Sequence, residues 1–170
     1  MKLGEGVEAA IHCAAMLAGV EGDATLSGAA MAEAFGVSSS YLLKHLNALS
    51  SAGILESLPG PAGGYRLSRP AEKISLLDIV LAVEGPLPAF RCGEIRQRGP
   101  VKLPSSAYAK PCGINVAMLR AEKAYRAALA AEKLSDIVTS FQNDADPRSV
   151  SASCAFVAHH QRPQKSSSPR

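Results

Sequence analysis

Residues 37–68 read VSSSYLLKHLNALSSAGILESLPGPAGGYRLS, and the order of signals in this stretch decides the fold. Gly36 and Val37 form a turn, and Ser38 is a residue type whose side-chain oxygen accepts from the free amides of a helix start. Leu42, Leu46 and Leu49 recur at i, i+4 and i+7, one face of a 3.6-residue helix, while Ser39, Ser40, Lys44 and Asn47 fall elsewhere on the circumference. Gly53 tolerates the left-handed conformation that closes a helix, and Ile54 and Leu55 begin a short strand. Pro59, Gly60, Pro61, Gly63 and Gly64 then reverse the chain into a second strand, Tyr65 to Leu67. Helix followed at once by hairpin is the second half of a winged helix-turn-helix.

The flanks supply the rest. Residues 2–19, KLGEGVEAAIHCAAMLAG, are Ala-rich and free of Pro, with Val7, Ile11, Ala14, Ala15 and Ala18 at helical spacing. Gly22 and Asp23 mark a turn, and Ser27 can cap a short helix from Gly28 to Phe35 that carries Met31, Ala32 and Phe35 inward. Beyond the hairpin, Ser75 with Asp78 reads as a capping-box variant, and Leu76, Ile79, Val80 and Val83 give the next helix a buried face that Gly85-Pro86 ends. Residues 85–111 hold five prolines, Cys92 and the basic residues Arg91, Arg96, Arg98 and Lys102, and so read as a connector. From Cys112 a long helix runs to about Glu132. Its stripe of Ile114, Met118, Ala121, Tyr125, Ala128 and Leu129 is broader than one winged helix can cover, which suits a two-fold dimer interface.

The expected architecture is therefore mainly α with a small β-hairpin. A winged helix-turn-helix occupies residues 1–84, a cysteine-bearing connector 85–111 and a dimerisation helix region 112–141, leaving 142–170 as a polar, disordered tail in which Cys154, His159 and His160 have no assigned role.

Composition narrows the function. With 47% hydrophobic residues the chain can bury a sizeable core, and no run approaches the roughly 20 apolar residues of a membrane span. A cytoplasmic protein is the expectation, with Cys13, Cys92, Cys112 and Cys154 too irregularly spaced for a secreted disulfide framework. Residues 1–80 carry five Lys/Arg against eight Asp/Glu, and residues 81–170 thirteen against seven. Affinity for DNA must then come from local placement and from doubling by dimerisation, because residues 1–80 as a whole are not basic. No phosphate-cradling glycine loop, nucleophile elbow or pair of carboxylates in a cleft argues for an enzyme.

Glu8 and His12 stand four residues apart, one helical turn, and present a carboxylate and an imidazole to a common point. That spacing also describes an ordinary polar pair on a solvated helix face.

The blocks SSSYLLKHLNAL, SAGILES, GPAGGYRLSRP and ISLLDIVLAVEG, in this order and almost without gaps, resemble the IscR/NsrR family of bacterial winged-helix transcriptional regulators over roughly residues 1–140. The resemblance implies a homodimer that binds double-stranded operator DNA. Ser38, Ser39, Ser40, Tyr41, Lys44 and His45 would face the major groove and its phosphates, and Gly64, Tyr65 and Arg66 of the wing would reach an adjacent groove. Tyr41 and Tyr65 have an equal alternative as packing residues. Cluster-bearing members commonly place three cysteines in the connector; this chain has two, with Val101 where a further one would be sought. It resembles in this the RsrR-like redox regulators, which implies a 2Fe-2S cluster held by Cys92 and Cys112 of one subunit and by Glu8 and His12 of the partner. Ala9 stands where related regulators carry an aromatic residue. Two alternatives stay open: a cluster-free regulator with a thiol switch or an effector, and a winged helix that binds protein.

Overall fold

A computed structural model describes residues 3–61 and 63–163. Helix α1 (Glu5–Leu17) is followed by the helix-turn-helix, α2 (Gly28–Phe35) and α3 (Ser39–Ser51), and then by the wing, β1 (Leu55–Leu58) and β2 (Gly64–Leu67). Helix α4 (Leu76–Glu84), the connector and α5 (Gly113–Ala131) lead to α6 (Leu134–Asp144) and α7 (Pro147–His160). The fold is mostly helical with one antiparallel hairpin, as the sequence implies.

Capping fixes the helix starts. Ser27 Oγ accepts from Ala30 N at 3.1 Å and Ser38 Oγ from Tyr41 N at 3.2 Å, while Gly36 closes α2 at φ 62°, which a side chain would resist. Ser75 and Asp78 form a reciprocal capping box on α4, at 2.8 and 3.2 Å. In the wing Leu55 stands opposite Leu67 and Leu58 opposite Gly64. Leu26 adds a third rung by exchanging two backbone hydrogen bonds with Tyr65, at 3.0 and 2.8 Å. A Cβ on Gly64 would overlap the Leu26 carbonyl, so only glycine lets the wing approach this closely.

One core joins α1, α3, the wing and α6. Leu26, Met31, Leu42, Leu46, Leu49, Ile54, Ile79 and Leu134 are fully buried in it, each worth about 1.5–3 kcal/mol of transfer free energy. Helix α5 stands apart: none of its residues is buried, and Ile114, Val116, Met118 and Leu119 are exposed.

The expected disordered tail is a correction where the chain is described. Asp146 accepts from Arg148 N at 2.8 Å, Pro147 occupies the first turn, and α7 places Val157 in the core. A start signal of capping Asp plus Pro was present, but polar residues on the remaining faces masked it. Past α7, Arg162 exchanges backbone hydrogen bonds with Thr25 at 3.0 and 2.8 Å, and its guanidinium donates to the Pro61 and Gly63 carbonyls at 3.0 and 3.2 Å. The chain thus returns to brace the wing. Residues 164–170, part of the same expectation, lie outside the described residues. Arg162→Ala should lower stability by about 1 kcal/mol, and so Tm by about 2–4 °C, in a thermal melt; an unchanged melt would show that the brace contributes nothing.

Candidate nucleic-acid interface and cysteine centre

On α3 the residues opposite the leucine face reach the surface. Ser38, Ser39, Ser40 and Lys44 are exposed, Tyr41 is 36% exposed, and Leu43 and Asn47 extend the same surface. The sequence reading did not count Leu43 or Asn47 as contacts. Asn47 lies three residues after Lys44 on the polar arc, a periodic signal that was available.

Four residues expected to face DNA, His45, Gly64, Tyr65 and Arg66, have other surroundings in the fold. His45 is 7% exposed and faces the core, its ring edge-on to Tyr41 at 4.8 Å between centroids and seated over Gly6 of α1, where a Cβ would overlap it. Burial, followed by the neighbouring Lys44 charge, holds the His45 imidazole below its usual 6.5, with Glu84 opposing. The neutral form is therefore the native one. A depressed histidine contributes stability that is complete above 6.5 and is lost as pH falls below 6.5 toward its folded-state value. Acid titration of stability should show a loss beginning there that His45→Gln abolishes; an identical profile in the variant would assign the loss elsewhere. Tyr65 is 8% exposed and packs in the core, and Gly64 shapes the wing beneath Leu26 rather than presenting a side chain. Arg66 is held by Glu56 Oε2 and Asp23 Oδ1, both at 2.8 Å, which raises its already high pKa through the Glu56 hydrogen bond first. A phosphate would have to displace these carboxylates.

The connector brings together two cysteines twenty positions apart. Arg96 is its strut: it donates to Glu94 Oε2 at 2.8 Å and to the Lys110 carbonyl at 2.6 Å, and lies 5.4 Å from the centre of the Tyr108 ring, whose hydroxyl donates back to the Arg96 carbonyl at 3.3 Å. One guanidinium thereby joins the segment after Cys92 to the segment before Cys112. The connector's start is strapped to α5 by Arg126, which donates to the Pro86 and Leu87 carbonyls at 2.9 and 3.2 Å, and by Glu122, which accepts from Ala89 N at 3.0 Å. As a result the two sulfurs and a Glu94 oxygen lie within 4.8 Å of one another, all half-buried.

The two thiols differ. Cys112 caps α5, and the Asn115 and Ile114 amides lower its pKa, helped by Cys92 and Arg96. At Cys92 the Glu94 amide acts downward, but desolvation, the Glu94 carboxylate and Cys112 together raise the thiol. Cys13 is buried in the core and pushed up to about 12 by that burial, which leaves it inert, and Val101 is exposed with no thiol in its place.

Glu8 and His12 are both exposed on α1 and do not join the cysteine group of their own chain. The His12 ring leans on Phe35 at 5.4 Å between centroids, at the edge of a largely apolar cavity of about 630 Å³ whose lining includes Met16, Phe35, Ile137, Phe141 and Val157. Glu94 was missed by the sequence reading, because a carboxylate two residues after a cysteine is too common a pattern to mark a site.

Residues 3–140 match the Rrf2 family, described as an iron-dependent transcriptional regulator. YwgB, a putative helix-turn-helix transcriptional regulator of Bacillus subtilis, is 40% identical over 85 residues, which are 50% of this chain and 54% of that protein. The regulator IscR of Cereibacter sphaeroides is 38% identical over 77 residues, 45% of this chain and 50% of that one. The chain thus spans about half the length of these two relatives. The crystal structure of the oxidised form of Staphylococcus aureus CymR superimposes with a TM-score of 0.59 at 27% identity, covering 81% of this chain and 96% of that one.

Proposed function

The chain belongs to the Rrf2 family of transcriptional regulators, and from that membership we propose that it is a cytoplasmic homodimer that binds operator DNA with an affinity set by a 2Fe-2S cluster. Cys92 and Cys112 of one subunit and Glu8 and His12 of the other would hold the cluster. The observation that carries this reading is the meeting of Cys92 and Cys112 within 4.8 Å, together with a carboxylate and an imidazole left exposed on one face of α1. Those residues fit the group: thiolates are its usual ligands, imidazole is an accepted substitute, and four donors complete two irons. The iron-dependent character of the family points the same way. When bound, such a cluster supplies a one-electron redox change.

The chain's own residues supply the rest. Arg96 fixes the connector, the α5 amides lower the pKa of Cys112 and so favour its thiolate, and the exposed apolar residues of α5 form the two-fold contact. Coupling to DNA runs through a packed contact: Gly6 lies two residues before Glu8 and directly under His45 of α3. A shift of α1 is thereby passed to the recognition helix without the aromatic residue that Ala9 replaces.

Ser38, Ser39, Ser40, Tyr41 and Lys44 form the groove-facing surface, joined by Leu43 and Asn47. Lys44→Ala should weaken operator binding across sequences and reduce the slope of log affinity against log salt by about 0.9 per subunit in a fluorescence-anisotropy titration. An unchanged slope would remove Lys44 from the phosphate contacts. Comparing cluster-loaded and apo protein in that titration tests the control itself: equal affinities would refute it.

The sulfur proximity also favours a second reading, in which Cys92 and Cys112 close a disulfide, releasing two electrons and two protons to an oxidant. The likeness to a CymR solved in an oxidised form supports it. Colourless, iron-free protein from anaerobic purification, with operator binding that responds to oxidant, would decide for the switch.

A further inference from the structure

We infer that Glu94 is a third metal ligand beside Cys92 and Cys112, so that a single chain carries a preformed site for one thiophilic divalent ion, zinc or ferrous iron. The inference rests on the proposed function only in taking the two cysteines as metal ligands; it needs neither the cluster nor the partner subunit.

Three observations converge on it. Cys92 Sγ lies 3.4 Å from Glu94 Oε1, and the three donor atoms lie within 4.8 Å of one another. Around a tetrahedral ion with metal–sulfur bonds of about 2.3 Å, neighbouring donors stand roughly 3.5–3.8 Å apart. Closure on an ion therefore needs shifts of about an ångström.

The carboxylate is also divided between two tasks. Oε2 accepts from Arg96 Nε at 2.8 Å and from Gln97 Nε2 at 3.3 Å, while Oε1 faces the sulfur. Such an outer hydrogen bond is the device that orients a ligating carboxylate. Because Arg96 also binds the Lys110 carbonyl, two residues before Cys112, it sets the spacing of the whole trio.

The backbone adds a third mark. Among the described residues Glu94 is the only non-glycine with positive φ, 46°, in the left-handed region that glycine and asparagine usually fill. Such a conformation is uncommon for a glutamate and belongs to the same local arrangement that holds Oε1 against Cys92. Charge completes the case: two thiolates and a carboxylate carry three negative charges, which Arg96 and a divalent ion balance. A mixed sulfur and oxygen set suits zinc or ferrous iron better than a purely soft ion. The fourth position is left for water or for an imidazole.

Anaerobic titration of the full-length apo protein with cobalt(II) tests this, since tetrahedral cobalt gives visible ligand-field bands and its thiolate bonds give near-ultraviolet charge transfer. The expected result is one cobalt per chain, displaced by zinc. Glu94→Gln should weaken binding by about tenfold or more and shift the ligand-field bands, and Glu94→Asp should recover part of the loss. Cys154→Ser, which removes an exposed thiol outside the trio, should bind cobalt as the parent does. Unchanged affinity and bands in both Glu94 variants would overturn the inference and leave Glu94 as a partner of Arg96 alone. Failure to reconstitute a cluster, with a cobalt titration that still depends on Glu94, would instead refute the cluster and keep this site.

Discussion

His12→Ala protein reconstituted anaerobically should lose the visible absorption and bound iron and sulfide of the parent while remaining a folded dimer, and Cys92→Ala should do the same. The expectation of retained folding comes from position. His12 is exposed on α1 and its one ring contact among the described residues is with Phe35; Cys92 is half-buried in a connector held by Arg96 and Arg126 rather than by the thiol. Neither truncation opens the core, so the effect on stability should stay near the ±0.5 kcal/mol of ordinary surface changes. The effect on the cluster should be near complete, because removing one of four donors exposes an iron to water. A His12→Ala protein with the parent's spectrum and iron content would show that the imidazole is not a ligand.

The second large effect is expected at a residue that supplies no ligand. Gly6→Ala should destabilise the protein by about 3 kcal/mol, the upper end of overpacking costs, because the added methyl would overlap the His45 ring and that ring is buried. Removing the ring should remove the penalty. In a His45→Ala background Gly6→Ala should cost little, giving a coupling energy of about 1–3 kcal/mol in a double-mutant cycle. Denaturant unfolding measures all four corners. Additive costs would mean that the contact between α1 and α3 is not tight, and the proposed route from Glu8 to the recognition helix would fall with it.

Much of this was legible in the sequence because it is written in local periodicity and turn chemistry. The Leu42, Leu46, Leu49 stripe and the serine caps of α2 and α3 follow from rules that act within a few residues. His45 was misplaced despite a local signal: three residues after Leu42 and one before Leu46, it falls on the buried stripe, and its polarity outweighed its position. At Tyr65 the packing alternative fits its burial, and Arg66 is engaged by two carboxylates. Their partners come from two segments, Asp23 and Leu26 from the stretch before α2 and Glu56 from β1, and no local rule announces a third rung beside a hairpin. Helix α7 was hidden by averaging, since a tail rich in Ser, His and Arg still places Val157 inward. At the cysteine centre Cys92 and Cys112 were identifiable as chemistry, but their meeting depends on Arg96 reaching across the connector, a tertiary fact. Glu94 has Cys92, Arg96 and Gln97 within three residues, a spacing too common to mark a site, and only its meeting with Cys112 depends on the fold.

The most direct measurement of the central proposal is the cluster content of mixed dimers, in which one subunit carries Cys92→Ala and the other His12→Ala, isolated by two affinity tags and reconstituted anaerobically. If each cluster takes its sulfurs from one subunit and its Glu8 and His12 from the other, the mixed dimer keeps one intact site, and iron and sulfide analysis should find one 2Fe-2S cluster per dimer, against two in the parent and none in either homodimeric variant. A mixed dimer without a cluster would place all the ligands within one chain and contradict the shared site.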